Sequence, residues 1–242
     1  MKLHVYKDKT ELSEALASWI CDLVTDTLKN QEIFTLVLSG GSTPNLLYKK
    51  LASPEMKEKI AWKKVHIFWG DERVVPFSDE RNNAKVAFDI LIDQLDIPSD
   101  NVHIMRTDIE PYFAVDAYGK ILHQYFDNSA KSFDLVLLGM GDDGHTLSLF
   151  PESPIIEDEK SWVNSVMHPT QKMYRITLMP AIINQASHIA FMAEGSGKSK
   201  IFHRVLEGEY NPKELPAQII KPQNGKLHWF VDKSITTDLK NL

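Results

Sequence analysis

The chain has 242 residues, of which 43% are hydrophobic and 25% charged, with a formal net charge of −6 at pH 7 and a single cysteine. This composition is typical of a globular protein, excludes an intrachain disulfide and argues against a nucleic-acid-binding surface, which needs a basic field. The chain shows neither an N-terminal signal-type apolar segment nor a membrane span. We therefore expect a cytoplasmic protein with one domain over residues 1–242.

Strand-like and helix-like segments alternate along the chain. Helix-spaced apolar residues predict a helix over residues 9–29, with Asp8 and Glu11 as a capping pair. Strands are predicted at 34–38, 65–69, 134–138, 174–179, 188–193 and 227–231, and helices at 44–51, 83–95, 112–127 and 198–206. This rhythm predicts an α/β fold with a mostly parallel sheet and helices on both faces, a Rossmann-like arrangement of three layers. The polar segment 152–172 is expected to be mobile.

Four polar loops directly follow four of the predicted strands. They are residues 39–43, 70–76, 139–145 and 194–198. Because the carboxyl ends of neighbouring parallel strands share one edge of a sheet, these loops can converge on one site. Convergence from four separate parts of the chain is a stronger signal than any one motif.

The first loop reads SGGSTP. Gly40 and Gly41 expose backbone N–H groups, and Ser42 and Thr43 add hydroxyl groups. The following Pro44 suits the first position of a helix. A helix N-terminus with free donors binds anions, so the loop is a candidate phosphate site. A simple turn capped by Ser or Thr explains the same residues equally well.

The second loop places three charged residues, Asp71, Glu72 and Arg73, just after an apolar strand. Such triplets are commonly solvated, but their position after a buried strand favours a pocket. Arg73 could bind an oxyanion or a phosphate, because guanidinium geometry matches such oxygens. Asp71 could accept hydrogen bonds from sugar hydroxyls.

The third loop, GMGDDGH, carries the candidate chemistry. Its glycines allow a tight turn, and His145 lies two residues after Asp143, where we expect a helix to begin. A histidine titrates near neutrality, and a carboxylate can fix its tautomer and raise its basicity. Metal binding is the rival role, but no second histidine or cysteine stands at ligand spacing. The other histidines are interpreted as packing or surface residues: His4, His66, His103, His123, His168, His188, His203 and His228.

The fourth loop, EGSGKS, resembles the end of a nucleotide-binding P-loop. That motif requires another glycine where this chain has Met192, so an NTPase is disfavoured. Lys198 at a helix start still suits a phosphate. Arg175, an unusual charge within the apolar strand YRITLM, is a second candidate phosphate ligand. Alternatively, Arg175 is an edge-strand residue paired with a surface carboxylate.

Taken in order, these motifs resemble the 6-phosphogluconolactonase family. The resemblance covers about residues 34–206 and rests on SGGSTP, the DER triplet with Asn83 downstream, GMGDDGHTLSLFP, YRITL and GSGK. It implies the fold shared with glucosamine-6-phosphate deaminase and ribose-5-phosphate isomerase. It also implies hydrolysis of 6-phospho-D-glucono-1,5-lactone in the pentose phosphate pathway, without a metal or an organic cofactor. Asp142 departs from the family pattern, in which Glu or Ser is more usual.

Roles for the candidate residues follow as a hypothesis. His145 would take a proton from the water that attacks the lactone carbonyl, and Asp143 would orient His145. Arg73 or loop N–H groups would stabilise the oxyanion. The phosphate would be held by Ser42, Thr43, Arg175 and Lys198, together with the backbone of Gly40 and Gly41 in the first loop. The sugar would be oriented by Asp71 and Asn83.

Two other functions stay open at this level. An amino-sugar-phosphate deaminase or isomerase of the same fold would carry an acidic residue where this chain has Phe150, and a tyrosine in place of Arg73. A sugar-phosphate-binding module without turnover is the second alternative. A covalent route through Ser148 is disfavoured, because that residue lacks a nucleophile-elbow pattern and is expected on a helix. We expect a monomer or a small homo-oligomer. The expected ligand is the small phosphosugar, and neither a nucleic acid nor a membrane is an expected partner.

Overall fold

In the computed structural model, which describes residues 1–240, ten strands form two sheets. The strands are β1 (Lys2–Tyr6), β2 (Phe34–Leu38), β3 (Val65–Trp69), β4 (Asp71–Arg73), β5 (Val102–His103), β6 (Leu135–Gly139), β7 (Val163–Met167), β8 (Tyr174–Leu178), β9 (His188–Ala193) and β10 (Lys226–Asp232). The main sheet has seven parallel strands in the order β1-β10-β9-β6-β2-β3-β5. The predicted parallel sheet is thus confirmed.

Helices cover both faces of the main sheet. They are α1 (Lys9–Thr27), α2 (Pro44–Leu51), α3 (Pro54–Lys57), α4 (Asn83–Ile90), α5 (Pro111–Phe126), α6 (Pro180–Ile183) and α7 (Ser199–Glu207). Strand residues alternate between two buried clusters: Leu36 packs with α1, α2 and α4, whereas Val37 packs with α5 and α7. Because both faces are covered, all five residues of β2 are buried, which explains its continuous apolar sequence. The three-layer prediction is confirmed.

A second, smaller sheet was not predicted. Its three antiparallel strands lie in the order β4-β8-β7. The predicted loop 70–76 therefore begins with a strand, and the apolar run after Tyr174 pairs here rather than in the main sheet. The buried residues Ile176 and Leu178 would suit either sheet, so composition alone could not assign the pairing.

Several boundaries also differ from the sequence prediction. The helix expected over 83–95 ends at Ile90, where a short 3-10 turn follows, and the strands β1, β5 and β7 had no predicted counterpart. Asp8 caps α1, accepting N–H groups of Thr10 and Glu11. Among the described residues, no helix has both the length and the apolar character needed to cross a bilayer. The single domain over 1–242 stays a prediction, and residues 241–242 lie outside the described part.

The topology explains why the polar loops meet. The four strands that precede them, β9, β6, β2 and β3, are neighbours in the main sheet. Their parallel direction brings all four carboxyl ends to one edge. The small sheet adds β4 and β8 at the same edge, where the main-chain N–H of Leu178 donates to Gly70 O over 2.7 Å.

Candidate active site

A cavity of about 290 Å³ lies where these loops converge. It is lined by every predicted site residue except Asp143, that is by Gly40, Gly41, Ser42, Thr43, Asp71, Arg73, Asn83, His145, Arg175 and Lys198. Four separate loops, the small sheet and the N-terminus of α4 supply these residues. The predicted convergence of the loops on one pocket is therefore confirmed.

Asp143 lies behind His145. The Nδ1 atom of His145 is 2.5 Å from Oδ1 of Asp143, and the same oxygen accepts the backbone N–H of His145 over 3.0 Å. The hydrogen bond from the imidazole is the main reason that the pKa of Asp143 falls to about 2. An ionised carboxylate can only accept, so the neutral imidazole carries its proton on Nδ1. Its Nε2 atom is then free to take a proton from a bound water.

The turn that carries this pair depends on two glycines. A Cβ on Gly141 would lie 2.1 Å from Nδ1 of His145, and Gly144 has a φ of 82°, which a side chain would strain. The helix expected from His145 is absent. The chain instead makes a turn closed by a bridge between Thr146 and Leu149, with Leu147 at a φ of 54°. The helix prediction was wrong because Thr146 bonds to Gly139 O through its hydroxyl, over 2.9 Å, which favours a turn.

This turn brings Ser148 to the cavity wall. Ser148 is fully buried, and its hydroxyl donates to Oδ2 of Asp71 over 2.6 Å. The side-chain amide of Asn83 donates to the backbone oxygen of Asp71 over 2.9 Å. Ser148 and Asn83 therefore fix Asp71 within the pocket. The carboxylate oxygens of Asp71 can still accept a hydrogen bond from a hydroxyl group of a ligand.

Glu72 is a buried carboxylate that sequence reasoning left outside the site. It accepts three backbone N–H groups, from Arg73 and Asn83 over 2.7 Å each and from Ala84 over 2.8 Å. Burial raises its pKa to about 7, against the effect of these three donors. Glu72 joins β4 to the N-terminus of α4 and so positions both Arg73 and Asn83. Its charged neighbours in sequence hid this structural role.

Two arginines lie opposite each other on neighbouring strands of the small sheet. Arg73 and Arg175 are paired in the register of β4 and β8, and Arg175 is only 5% exposed. Burial is the main reason that the pKa of Arg175 falls to about 10, and the neighbouring Arg73 adds to it. Among the described residues, neither buried Nε atom has a hydrogen-bond partner. A buried guanidinium beside a second, half-buried one, each with a free Nε donor, favours an anion.

The alternative expectation for Arg175, an edge-strand residue paired with a carboxylate, is wrong. β8 is the central strand of its sheet, and Nη2 of Arg175 donates to Oε1 of Gln171 over 2.6 Å. A neutral amide thus holds the guanidinium in place, and no carboxylate among the described residues forms an ion pair with it. Arg73 is held similarly, because its Nη1 donates to the backbone oxygen of Arg81 over 2.7 Å.

The remaining donors come from the first and fourth loops. α2 begins at Pro44, and the side chain of Thr43 makes no capping hydrogen bond, so the hydroxyl stays available. Lys198 extends to the glycine-rich turn, where Nζ donates to Met140 O over 2.6 Å and lies 3.6 Å from Oδ1 of Asp142. The unusual Asp142 thus faces the lysine, and its side chain is largely exposed.

His168 is a cavity residue that sequence reasoning missed. It was interpreted as a packing or surface residue, because no chemical group stands next to it in the sequence. The only signal was its position shortly before Arg175, in a polar segment between two strands. β7 lies in that segment and forms a hairpin with β8, which brings His168 and Gln171 to the pocket.

Within residues 1–240, no group of three or more histidine, cysteine, aspartate or glutamate side chains is arranged to hold a metal ion. The acidic residues at the cavity are already engaged, Asp143 by His145 and Asp71 by Ser148. Metal independence stays a prediction.

Comparison with known proteins gives a consistent family assignment. The model of the family described as glucosamine-6-phosphate isomerases/6-phosphogluconolactonase matches residues 7–229. A 6-phosphogluconolactonase of Haemophilus influenzae is 38% identical over 197 residues, which are 81% of this chain and 84% of that protein. One from Synechocystis is 33% identical over 243 residues, 99% and 98% of the two chains.

Solved structures agree with the sequence relatives. The 6-phosphogluconolactonase of Trypanosoma brucei has a TM-score of 0.84 at 29% identity, with 97% of both chains covered. A monomeric glucosamine-6-phosphate deaminase shares the fold, with a TM-score of 0.83 at 18% identity. The match includes 97% of this chain and 98% of the deaminase chain. The chain belongs to the glucosamine-6-phosphate isomerase/6-phosphogluconolactonase family, as its motifs predicted.

Proposed function

We propose that this protein hydrolyses 6-phospho-D-glucono-1,5-lactone to 6-phospho-D-gluconate, in the oxidative branch of the pentose phosphate pathway, using His145 as a general base. Relatives named 6-phosphogluconolactonase match it over most of their length. The observation that carries the mechanism is the histidine at the cavity wall whose Nδ1 is held by Asp143.

In the reaction, Nε2 of His145 takes a proton from water as the water oxygen bonds to the lactone carbonyl carbon. Asp143 stabilises the imidazolium, and Arg73 stabilises the negative charge on the former carbonyl oxygen. The bond from that carbon to the ring oxygen then breaks, and the ring oxygen receives the proton from Nε2. The product is the open-chain acid, which ionises.

The phosphate would be held by Ser42, Thr43, Arg175 and Lys198. The support is the free N-terminus of α2, the buried guanidinium with an unpartnered Nε, and a lysine directed into the same cavity. Asp71 and Asn83 would orient the sugar through its hydroxyls. Binding energy from the distant phosphate would then fix the carbonyl carbon near His145.

The deaminase alternative is not favoured by the cavity. Phe150 stands where that chemistry would have an acidic residue, and its ring lies 5.2 Å from the ring of His145, between centroids. Phe150 is 4% exposed, so it fills this position with an apolar surface. Ring opening and enolisation would need a second acid or base there.

A coupled assay tests the proposal. The lactone is generated from glucose 6-phosphate, and its hydrolysis is followed above the spontaneous rate, with and without EDTA. We expect a large acceleration that is indifferent to EDTA and that falls about 10²- to 10⁴-fold in His145→Ala, the usual contribution of a general base.

Absence of acceleration by folded wild-type protein would reject the lactonase. Turnover of glucosamine 6-phosphate would then point to the deaminase, and phosphosugar binding without turnover to a binding module. His123→Ala is the matched control for the histidine substitution, because His123 pairs with Asp127 over 2.6 Å but lies outside the cavity.

A further inference from the structure

His168 lines the cavity beside Phe150. Its ring lies 4.5 Å from the ring of Phe150, which in turn lies 5.2 Å from the ring of His145, between centroids. On its other side His168 begins the hairpin loop that leads to Arg175, where the His168 N–H donates to Met173 O over 3.0 Å. None of the steps proposed above uses this residue.

The backbone fixes the tautomer of His168. Its Nδ1 atom accepts the N–H groups of Thr170 and Gln171, each over 3.2 Å. A ring nitrogen that accepts two hydrogen bonds carries no proton, so the proton of the neutral ring is on Nε2. No described residue accepts a hydrogen bond from that Nε2 atom, and the side chain lines the cavity.

The surroundings keep this imidazole neutral. Burial lowers the pKa of His168, and the positive charges of Arg175 and Arg73 lower it further, whereas Asp143 acts in the opposite direction. The ring is therefore a donor without a charge of its own. This distinguishes it from the cationic donors at Arg175 and Lys198, and from His145, which must accept a proton.

We propose that His168 is a substrate-binding residue whose Nε2–H donates a hydrogen bond to an oxygen of the bound phosphosugar. The identity of that ligand rests on the proposed function. A neutral, backbone-oriented donor costs little to hold in place, and it can discriminate in favour of ligands that carry an acceptor between the carbonyl and the phosphate.

Two substitutions separate this role from a structural one. In His168→Asn, the amide oxygen can replace Nδ1 as acceptor for the Thr170 and Gln171 N–H groups, but nothing replaces Nε2–H. In His168→Gln, the longer side chain can place an amide N–H near the original Nε2 position. Binding of 6-phosphogluconate, the stable product, is measured by calorimetry for both variants and the wild type, together with KM, kcat and the melting temperature.

We expect His168→Asn to fold normally and to bind 6-phosphogluconate about 10- to 100-fold more weakly, as for the loss of a hydrogen bond to a charged or strongly polar group. The same factor should appear mainly in KM. His168→Gln should recover part of the affinity. In the wild type, ¹⁵N shifts of the His168 ring should report a protonated Nε2 and an unprotonated Nδ1, with the Nε2–H resonance moving when 6-phosphogluconate is added.

Unchanged affinity in His168→Asn, equal losses in the two variants, or a proton found on Nδ1 would each overturn the role of His168. These failures are distinct from failure of the hydrolase. A wild type that does not accelerate lactone hydrolysis, but loses 6-phosphogluconate affinity in His168→Asn, would reject the proposed reaction and keep the binding residue.

Discussion

The cavity has a histidine side, formed by Asp143 and His145, and an arginine side, formed by Arg73 and Arg175. The histidine pair is partly exposed, with 32% of the His145 side chain and 53% of the Asp143 side chain accessible. On the arginine side, Arg175 is 5% exposed, whereas Arg73 is half-buried. Proton transfer to and from water needs solvent contact, whereas anchoring an anion gains from the exclusion of solvent. The buried Arg175 and the partly exposed histidine pair therefore suit different tasks.

The two sides also differ in how the chain assembles them. Asp143 and His145 are two residues apart, and one glycine-rich turn sets their geometry. Arg73 and Arg175 come from distant parts of the chain and meet only through the pairing of β4 with β8. A substitution of Asp143 or His145 should change the chemical step, and a substitution of Arg175, the proposed phosphate ligand on the arginine side, should change binding.

The largest effect should come from Asp143→Asn. The hydrogen bond from His145 lowers the pKa of Asp143 to about 2, so the carboxylate stays ionised near neutral pH. An amide in its place can donate to Nδ1 and move the imidazole proton to Nε2, which disables the base. We expect kcat to fall by about 10²- to 10⁴-fold with KM little changed.

A control substitution at a second aspartate–histidine pair separates this effect from the general loss of one negative charge. Asp127→Asn is the matched control, because Asp127 pairs with His123 outside the cavity. An Asp143→Asn enzyme with the wild-type kcat would mean that His145 needs no orienting carboxylate.

Arg175→Lys should show the opposite kinetic pattern. Lysine keeps the charge but loses the planar fork, including the bond to Gln171 and the free Nε donor. We expect KM to rise by about 10- to 100-fold with a smaller change in kcat, as for loss of a charge-assisted hydrogen bond. Steady-state kinetics on the lactone and calorimetry with 6-phosphogluconate measure both terms.

Arg106→Lys is the corresponding control, since Arg106 pairs with Asp108 on the exposed surface. If Arg175→Lys lowered kcat and left KM and product affinity intact, Arg175 would act on the chemical step and not on phosphate binding. The contrast between the two sides would then fail.

The two sides of the cavity also differ in how well the sequence predicted them. The loops of the main sheet were predicted, because a buried strand followed by glycines and polar residues is a local pattern, and the parallel direction brings such loops to one edge. The small sheet was not, because the pairing of Arg73 with Arg175 is set by contacts between distant segments. His168 was missed for the same reason, since its capping of the β7–β8 hairpin loop and its place in the cavity appear only once that hairpin forms.

The turn after Gly139 shows a different limit. A helix was expected to begin at His145, but residues 146–149 form a turn, in which the Thr146 hydroxyl donates to Gly139 O. Ser148 thereby bonds to Asp71, which links the histidine loop to the start of β4. The sequence therefore indicated the wrong element here, although His145, the predicted base, still lines the cavity.

The smallest kinetic effect should come from Glu72→Gln, at the residue that ties the arginine side to α4. A glutamine oxygen can still accept from Arg73 and Asn83, but its NH₂ group would face the N–H of Ala84. We expect unfolding to become easier by about 1–3 kcal/mol in urea titrations, the usual cost of an unsatisfied buried donor. KM should change less than in Arg175→Lys. Glu157→Gln, which removes an exposed ion pair with Lys213, should leave stability nearly unchanged.

The pH dependence of the stability difference between the wild type and Glu72→Gln tests whether Glu72 is protonated in the folded protein. Burial raises the pKa of Glu72 from an ordinary 4.5 to about 7, so between these values the folded protein binds a proton that the unfolded chain does not. This contribution is fully present at low pH and is lost as the pH rises through about 7. The stability of the wild type relative to Glu72→Gln should therefore decrease between pH 5 and pH 8. A difference that is constant over this range would show that the three N–H donors keep Glu72 ionised, and that its burial is compensated by those hydrogen bonds alone.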